Sequence, residues 1–311
     1  MDRVAVLIPC FNEAKTIKKV VSDFKKALPG SVVYVYDNNS TDDTVNEAKK
    51  AGAVVRYEYR QGKGQVVRRM FQEIEADHYI LVDGDNTYPA DAAKEMIDLV
   101  SQHNSDMVVG DRLSSTYFKE NKRLFHNTGN TVVRFLINSI FKTDIKDVMT
   151  GYRAFSRRFV KTFPVLSKGF ELETEMSVHA ASMNMQVDNV VVEYRDRSEG
   201  SNSKLNTYSD GIKVIMTILK LFRNYRPLSF FSIVSLIILL IDAIVLSYVV
   251  LVPYFNTGLV PNYPTLIVGG FVGVTAVMLF LCGLILDSVW QKERREFEFR
   301  LMMVENEKKN K

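Results

Sequence analysis

The chain has 311 residues, of which 47% are hydrophobic and 24% are charged, a composition close to the globular average. This composition excludes a disordered chain and a collagen-like fibre, and a net charge of +4 is too small to indicate a nucleic acid partner. The two cysteines, Cys10 and Cys282, exclude a disulfide framework and fit a reducing compartment. Charge is unevenly distributed, because residues 227–291 contain no Lys, Arg or Glu.

The first third of the chain alternates short apolar runs with amphipathic stretches. The runs that predict strands are residues 3–8, 31–36, 53–57, 78–82 and 106–110. The stretches that predict helices are residues 13–28, 41–51, 64–76 and 91–102. Strands that alternate with helices at this spacing are typical of βαβ units, and they predict an α/β domain with a mainly parallel sheet.

A cluster of polar residues follows each of the first four predicted strands. The clusters are residues 9–13, 37–43, 60–64 and 83–88. Ligands of open parallel sheets bind outside the carboxyl ends of the strands. Because four polar loops are expected at one edge of the sheet, we predict a binding site there.

The last of these clusters begins with Asp83, Gly84 and Asp85, directly after a predicted strand. Side chains two residues apart in a strand lie on one face, so both carboxylates are expected on the same side of the sheet. Hard divalent cations prefer carboxylate oxygen, and Mg²⁺ commonly binds one or two carboxylates together with substrate phosphates. The alternative is an ordinary turn, for which these residue types are equally suited.

Gly62, Lys63 and Gly64 form a short glycine loop after the third predicted strand. The loop is not a P-loop, because no Ser or Thr follows Lys63, and it lacks the third glycine of a dinucleotide fingerprint. A nucleotide-binding loop of another type and a plain turn are both left open. The basic segment at residues 197–205 is likewise either a loop that closes over a diphosphate or a solvated linker.

Two apolar segments, residues 228–252 and 265–289, are each long enough to cross a bilayer about 30 Å thick. The basic residues that flank them are Arg223 and Arg226 on one side and Lys292, Arg294 and Arg295 on the other. The positive-inside rule therefore predicts a hairpin in the cytoplasmic membrane with both termini in the cytoplasm. The short N-terminal apolar run ends at Pro9 and is not typical of a signal peptide.

The predicted organisation is a cytoplasmic domain at residues 1–204, an amphipathic helix at 205–226, two membrane helices within 227–290 and a charged tail at 291–311. A basic amphipathic helix that leads into a membrane span is expected to lie in the bilayer interface, although a surface helix packed on the core is the alternative. Asp242 lies within the first span and is expected to face another helix, in this chain or in a neighbour, and Gly269 and Gly273 have the spacing of close helix packing. A homo-oligomer is expected.

Five motifs together resemble the inverting glycosyltransferases of family 2, and more narrowly the polyprenyl-phosphate glycosyltransferases, which include dolichol-phosphate mannose synthases and bactoprenol glucosyltransferases. The motifs are residues 8–13, 35–44, 83–85, 147–153 and 200–205. The resemblance covers residues 4 to about 211. It implies the nucleotide-sugar-binding fold of GT-A type, interfacial amphipathic helices and a C-terminal two-helix membrane hairpin.

The resemblance implies a role for each matching residue. It assigns the donor nucleotide to Pro9, Asn12, Glu13, Asp37, Asn39, Lys63, Arg197 and Lys204. Asp83 and Asp85 would place Mg²⁺ or Mn²⁺ on the donor diphosphate, and Asp147 matches an active-site carboxylate that acts as a base or as a positioning group. The acceptor phosphate is assigned to Arg112, Arg123 and Asn127, and Asn127 departs from the Ser that is usual in the family.

The implied reaction transfers a hexose, with inversion, from a nucleotide-diphosphate sugar to a polyprenyl phosphate such as undecaprenyl phosphate at the cytoplasmic membrane face. The acceptor is largely dianionic at neutral pH and scarcely needs a base, so the harder task is to stabilise the leaving diphosphate. Residues 83–88 differ from the Asp-Ala-Asp-Leu-Gln of mannose synthases, which favours UDP-glucose over UDP-N-acetylglucosamine or GDP-mannose. The resemblance also suggests a tetramer.

Two other functions are considered as alternatives. A processive polysaccharide synthase of the same fold would carry a Gln-x-x-Arg-Trp motif, whereas the single tryptophan, Trp290, lies outside any such motif. A non-catalytic, membrane-anchored sensor of nucleotide sugars would not need the intact set of Asp83, Asp85, Arg197 and Lys204.

Overall fold

The structure is a computed structural model that describes residues 3–115, 134–167, 169, 171–195, 216, 218–260 and 262–309. The chain divides into two compact units, which we call the sheet domain and the hairpin unit. The sheet domain comprises Met1–Ile218 with Phe299–Lys311, and the hairpin unit comprises Leu219–Glu298. The domain boundary predicted at residue 204 lies outside the described residues.

Strands and helices alternate through the first half of the sheet domain. In chain order they are β1 (Val4–Cys10), α1 (Ile17–Ala27), β2 (Val32–Asp37), α2 (Thr44–Lys50), β3 (Val54–Tyr57), α3 (Lys63–Glu73), β4 (His78–Leu81), α4 (Ala93–Gln102) and β5 (Met107–Asp111). Each helix forms because its apolar residues share one face, as in α1, which buries Ile17, Val20, Val21 and Phe24. The five strands and four helices predicted for this part of the chain are all present.

The second half of the domain is less regular. Residues 134–141 are helical, and β6 (Arg153–Ser156), α5 (Arg157–Thr162), α6 (Leu172–Ser182) and β7 (Val187–Val191) follow. The two additional strands were not predicted, because β6 (Arg-Ala-Phe-Ser) is polar at both ends and β7 carries Asp188 and Asn189 in place of an apolar run. Both strands take their conformation from sheet pairing, which overrides a weak local preference.

The sheet has 7 strands in the order β3-β2-β1-β4-β6-β5-β7. The neighbouring pairs are parallel except at β6, which runs antiparallel to both β4 and β5. The prediction of a mainly parallel sheet is therefore confirmed. Strand order reverses at β1, which lies between β2 and β4, and an open α/β sheet binds its ligand at such a switch point.

The antiparallel strand has a direct consequence for the site. Arg153, the first residue of β6, pairs with Leu81 at the end of β4 and with Val109 near the end of β5. The loop that enters β6 therefore lies at the same edge of the sheet as the loops that leave β4 and β5. Residues far apart in sequence meet at this edge.

The final turns of the C-terminal helix belong to the sheet domain and bind α5. Arg157 Nη1 donates a hydrogen bond to the backbone oxygen of Val304 at 2.9 Å, and Arg158 pairs with Glu305 at 3.2 Å. Arg158 also pairs through Nε with the buried Asp106 at 2.7 Å. Charged residues of the tail thus complete the ion pairs of α5.

The hairpin unit contains α7 (Pro227–Leu246), a π-helical stretch (Ser247–Leu251), α8 (Val252–Thr257) and α9, which extends from Tyr263 to Lys309 and so ends in the sheet domain. In the part of the chain that is described, two helical stretches, Pro227–Thr257 and Tyr263–Glu307, are long and apolar enough to cross a membrane. Each contains one of the predicted spans. Gly258, at φ 70°, adopts the left-handed conformation that ends α8.

Small residues allow α7 and α9 to pack closely. A Cβ added at Gly269 would lie 2.6 Å from Leu246 Cδ2, and one at Gly283 would lie 2.9 Å from Phe231 Cβ. Ser235 Oγ donates a hydrogen bond to the backbone oxygen of Ala276 at 2.7 Å, which satisfies a polar group within an apolar helix. Gly269, the first glycine of the spacing noted in the sequence, therefore packs against a helix of the same chain.

Candidate active site

The loops after β1 and β2 hold each other in place. Asn12, at φ 58°, accepts a hydrogen bond at Oδ1 from the backbone nitrogen of Thr41 at 2.8 Å. The backbone nitrogen of Asn12 donates to Ser40 Oγ at 2.9 Å, and that of Glu13 donates to Thr44 Oγ1 at 2.8 Å. Asn12 and Glu13, both predicted to bind the donor, thus hold the β2 loop through their backbone and side-chain polar groups. Pro9 lies in β1 opposite Tyr36 of β2.

Asp37, the last residue of β2, has one paired and one unpaired carboxylate oxygen within the part of the chain that is described. Its Oδ2 accepts a hydrogen bond from the backbone nitrogen of Ser40 at 3.2 Å. Its Oδ1 is buried and has no hydrogen-bond partner among the described residues. Buried polar atoms are nearly always paired in native proteins. The Oδ1 atom is therefore suited to accept a hydrogen bond from an N–H or O–H group of a ligand.

Two asparagines join the β2 loop to the loop after β3. Asn38 donates through Nδ2 to the backbone oxygen of Glu58 at 2.7 Å and accepts at Oδ1 from the backbone nitrogen of Gly62 at 2.8 Å. Asn39, at φ 65°, donates through Nδ2 to the backbone oxygen of Tyr59 at 3.0 Å. The glycine loop is thereby fixed beside Asp37, which favours a ligand-binding loop over a free turn.

Asp83 and Asp85 lie in a turn and not in a strand. The strand β4 ends at Leu81, so the strand alternation assumed from the sequence does not place the two carboxylates. Asp83 Oδ1 lies 2.6 Å from Lys63 Nζ. Asp85 is buried, and its Oδ1 accepts hydrogen bonds from Thr87 Oγ1 at 2.6 Å and from the backbone nitrogen of Thr87 at 3.2 Å. Turn geometry and individual partners therefore orient each carboxylate separately.

Lys63 carries a firmly held positive charge at this edge. Its Nζ also lies 2.6 Å from Glu173 Oε1, so the ammonium lies between two carboxylates. Burial on its own would lower the pKa of Lys63, but the charges of Asp83 and Glu173 outweigh the burial and raise that pKa. Lys63 therefore remains protonated throughout the neutral range.

Gly151 leaves the space that Asp83 occupies. A Cβ added at Gly151 would lie only 2.3 Å from Asp83 Oδ2. The backbone nitrogen of Gly151 donates to Tyr88 Oη at 3.3 Å, and Thr150 Oγ1 lies 3.3 Å from the same atom. The buried Tyr88 thus supports the turn at residues 150–151, against which Asp83 packs.

We expect Gly151→Ala to reduce activity by about 10²-fold, because the added methyl displaces the Asp83 carboxylate and small misplacements of this kind are costly. The fold should be retained, since overpacking typically costs about 1–3 kcal/mol. Turnover and thermal unfolding measured on the same preparation check both statements. Gly270→Ala is the matched control, since the added methyl there meets nothing within 4 Å. Wild-type turnover in Gly151→Ala would contradict this account of Asp83.

A second charged pair lies at the end of β5. Arg112 Nε lies 2.7 Å from Asp147 Oδ2, and Arg112 Nη2 lies 3.3 Å from Asp147 Oδ1. The guanidinium also lies over the ring of Tyr194, 5.4 Å from its centroid. Asp147 is fully buried, and the Arg112 guanidinium compensates its charge. The pair places one cationic group and one carboxylate next to the loop that contains Gly151.

Arg153 stabilises the segment at residues 147–151 through hydrogen bonds to its backbone. It is fully buried, and it donates through Nη2 to the backbone oxygen of Val148 at 2.7 Å and through Nε to that of Thr150 at 3.1 Å. Its Nη1 donates to Ser177 Oγ of α6 at 3.0 Å. Burial lowers the pKa of Arg153 to about 10, so the residue stays charged at neutral pH. Its bonds hold the segment that joins Asp147 to Gly151.

The structure brings together most, but not all, of the residues that the sequence singled out. Arg123, Asn127, Arg197 and Lys204 lie outside the described residues. Tyr88 lies in the polar cluster at residues 83–88 and Arg153 in the motif at residues 147–153, but the sequence assigned no role to either residue. Glu173 was not anticipated at all. It lies in a run with Glu171 and Glu175 that reads as a solvated acidic segment, and nothing in the sequence distinguishes it.

The donor groups of the site suit a divalent cation. No group of three or more His, Cys, Asp or Glu side chains among the described residues forms a complete metal site. Asp83 and Asp85 supply carboxylate oxygen, the ligand that Mg²⁺ and Mn²⁺ prefer. Two carboxylates match a cation whose other ligands come from substrate phosphates and water. The residues present therefore fit the expected ion.

The sheet order and the polar loops at its switch point define an α/β fold with a candidate binding site at the edge of the sheet. Residues 5–163 match the family described as Glycosyl transferase family 2. The chain belongs to this family, and the fold expected from the motifs is confirmed.

Curated relatives and solved structures agree with this assignment. The glycosyltransferase AglJ of Haloferax volcanii is 34% identical over 232 residues, which cover 74% of this chain and 76% of the relative. A dolichyl-phosphate hexose transferase of the same organism is 26% identical over 219 residues, covering 70% and 93%. Glucosyl-3-phosphoglycerate synthase of Mycobacterium tuberculosis, solved with Mn²⁺, UDP-glucose and phosphoglyceric acid, matches with a TM-score of 0.54 at 20% identity, covering 71% of this chain and 80% of that chain. The similarity to the mycobacterial synthase shows a shared fold only.

Proposed function

We propose that the protein transfers a hexose, glucose from UDP-glucose in the first instance, to a polyprenyl phosphate, with inversion and with Mg²⁺ or Mn²⁺. The observation that carries the proposal is the segment at residues 147–151. At one end Asp147 binds Arg112, and at the other Gly151 packs against Asp83. One short segment therefore contacts both Arg112, which would bind an acceptor phosphate, and Asp83, which would serve the donor diphosphate.

The relatives support the choice of substrates. One is named for the transfer of hexose to dolichyl phosphate, which supports a lipid phosphate as acceptor. The structural neighbour was solved with UDP-glucose and Mn²⁺, which supports a nucleotide sugar and a divalent cation. The two helices of membrane-spanning length are consistent with an acceptor that resides in a bilayer.

The described residues suit a single displacement. Asp37 would accept a hydrogen bond from the nucleoside, and Asp83 and Asp85 would hold the cation, which when bound would neutralise charge on the leaving diphosphate. Arg112 would orient the acceptor phosphate through Nη1, which takes no part in the pair with Asp147. A phosphate oxygen attacks the anomeric carbon while the bond to the diphosphate breaks, which inverts the configuration. Asp147, compensated by Arg112, acts as a positioning group because the dianionic acceptor needs no base.

Transfer assays with a panel of labelled nucleotide sugars test the proposal. Purified protein, undecaprenyl phosphate and Mn²⁺ are incubated with UDP-glucose, UDP-N-acetylglucosamine or GDP-mannose, and the lipid product is extracted. We expect a single sugar on the lipid, with UDP-glucose the best donor. A polymer of many sugars would indicate a processive synthase. Tight donor binding without any transfer to lipid would indicate a sensor.

The orientation of the hairpin unit is a separate prediction. With both termini in the cytoplasm, the segment between the two spans faces the outside, so a cysteine at Asn256 should react with an impermeant thiol reagent in intact cells. The experiment uses a Cys282→Ser background, because Cys282 is exposed in the structure. Lys94→Cys, at an exposed position of α4, is the cytoplasmic control and should react only after lysis. Labelling of Asn256→Cys only after lysis would reverse this topology.

A further inference from the structure

Helix α6 carries two buried glutamates whose surroundings differ. Glu175 Oε2 accepts hydrogen bonds from the backbone nitrogens of Ser167 and Leu166, at 3.0 and 3.4 Å. These contacts fasten the chain that precedes α6. Glu173 instead reaches across the site to Lys63 Nζ at 2.6 Å, a residue 110 positions earlier in the sequence. One glutamate therefore serves local structure, and the other contacts a residue of the site.

The contact made by Glu173 completes a cluster of three charges. Lys63 Nζ lies 2.6 Å from Asp83 Oδ1 and 2.6 Å from Glu173 Oε1, and the Glu173 side chain is only 7% exposed. The cluster has one positive and two negative charges, so its net charge is negative. A lysine held by Asp83 alone would be able to turn toward an anionic ligand, since its side chain has four flexible bonds. Glu173 is a second carboxylate partner of the same ammonium and restricts this movement.

We propose that Glu173 is a positioning residue of the donor site, which holds the Lys63 ammonium against Asp83 and thereby fixes the Asp83 carboxylate for the nucleotide donor. The inference rests on the proposed function, because it takes the edge at Asp83 to be the donor site. Glu173 acts through Lys63 and does not itself touch the donor. The other oxygen of Asp83 occupies the space that Gly151 leaves by having no side chain.

Equilibrium binding of UDP in the presence of Mn²⁺, measured by calorimetry, tests the inference without relying on turnover. Glu173→Gln keeps the length of the side chain and removes its charge. We expect it to weaken UDP binding by about tenfold, which corresponds to about 1.4 kcal/mol. Glu175→Gln is the matched control, an identical change at a buried position two residues away, and should bind UDP like the wild type. Thermal unfolding of both variants reports any general loss of structure.

A double variant separates positioning from net charge. Lys63→Gln combined with Glu173→Gln restores the net charge of the cluster, since one positive and one negative charge are removed together. If Glu173 acts through Lys63, the double variant binds UDP no better and no worse than Lys63→Gln alone. Wild-type affinity in the double variant would show an effect of net charge only, and fully additive losses would show independent roles. Either result overturns the inference.

Other results of these binding measurements distinguish a failure of the role assigned to Glu173 from a failure of the proposed function. Wild-type affinity in Glu173→Gln, or an equal loss in Glu175→Gln, would overturn the role of Glu173 while leaving the donor site intact. Absence of UDP, GDP and other nucleoside diphosphate binding in the wild type would overturn the proposed function and this inference together. If Glu173→Gln does not fold, Glu173→Asp replaces it. That variant keeps the charge but shortens the reach, and the same weakening of UDP binding is expected.

Discussion

Asp85→Asn is expected to lower sugar transfer by about two to three orders of magnitude while the protein folds normally. The substitution keeps the shape of the side chain and an oxygen that can accept the hydrogen bonds from Thr87, so the turn at residues 84–87 should persist. It removes the negative charge that a divalent cation requires. Without the cation, charge that develops on the leaving diphosphate would face Asp83 and Asp85 directly, which raises the barrier.

The measurement compares turnover and thermal unfolding of Asp85→Asn with those of Asp91→Asn. Asp91 is exposed in the short helical turn that follows the acidic motif, and its loss should leave transfer unchanged. Chelation by EDTA should abolish transfer in the wild type, and Mg²⁺ or Mn²⁺ should restore it. Near-wild-type turnover in Asp85→Asn, or full activity in excess EDTA, would show that the site does not depend on a metal.

The parallel part of the fold was readable from the sequence because each strand there is a short apolar run with a polar loop after it. In β1 and β4 the apolar residues are buried from both sides, so the runs are uninterrupted. The strand β6 gave no such signal. Its sequence, Arg-Ala-Phe-Ser, is polar at both ends, and its direction is set by pairing with β4 and β5. Long-range pairing of this kind has no local signature in one sequence.

The same distinction applies to the site. Asp37, Asp83 and Asp85 were predicted because they follow strands whose carboxyl ends share an edge. The contacts of Glu173 and Arg153 could not be predicted, because they depend on where α6 and β6 are placed in the fold. The pairing of Arg112 with Asp147 has the same origin. Both residues were named individually in the sequence analysis. They meet because β6 is antiparallel, so the loop at residues 147–152 that leads into β6 lies at the same edge of the sheet as the end of β5.

That pairing changes what an Arg112 variant is expected to do. Removal of the guanidinium alone would break the ion pair with the fully buried Asp147, and breaking a buried ion pair by removing one member typically costs about 3–5 kcal/mol of stability. Arg112→Ala should therefore unfold at lower temperature as well as require more lipid phosphate. A loss of activity in this single variant cannot by itself assign Arg112 to the acceptor.

Arg112→Met combined with Asp147→Asn separates the two effects. Neutral groups that replace a buried ion pair are often tolerated, so the unfolding temperature should return close to the wild-type value. Donor binding should also stay near the wild-type value, because the contacts of Asp83 with Lys63 and Gly151 are untouched. Transfer should remain low with a raised KM for lipid phosphate, since a charge-assisted bond worth about 1.5–3 kcal/mol is missing. If the double variant regained full transfer, Arg112 would serve only to compensate Asp147. If it lost nucleotide affinity alone, Arg112 would belong to the donor site and the acceptor would bind elsewhere.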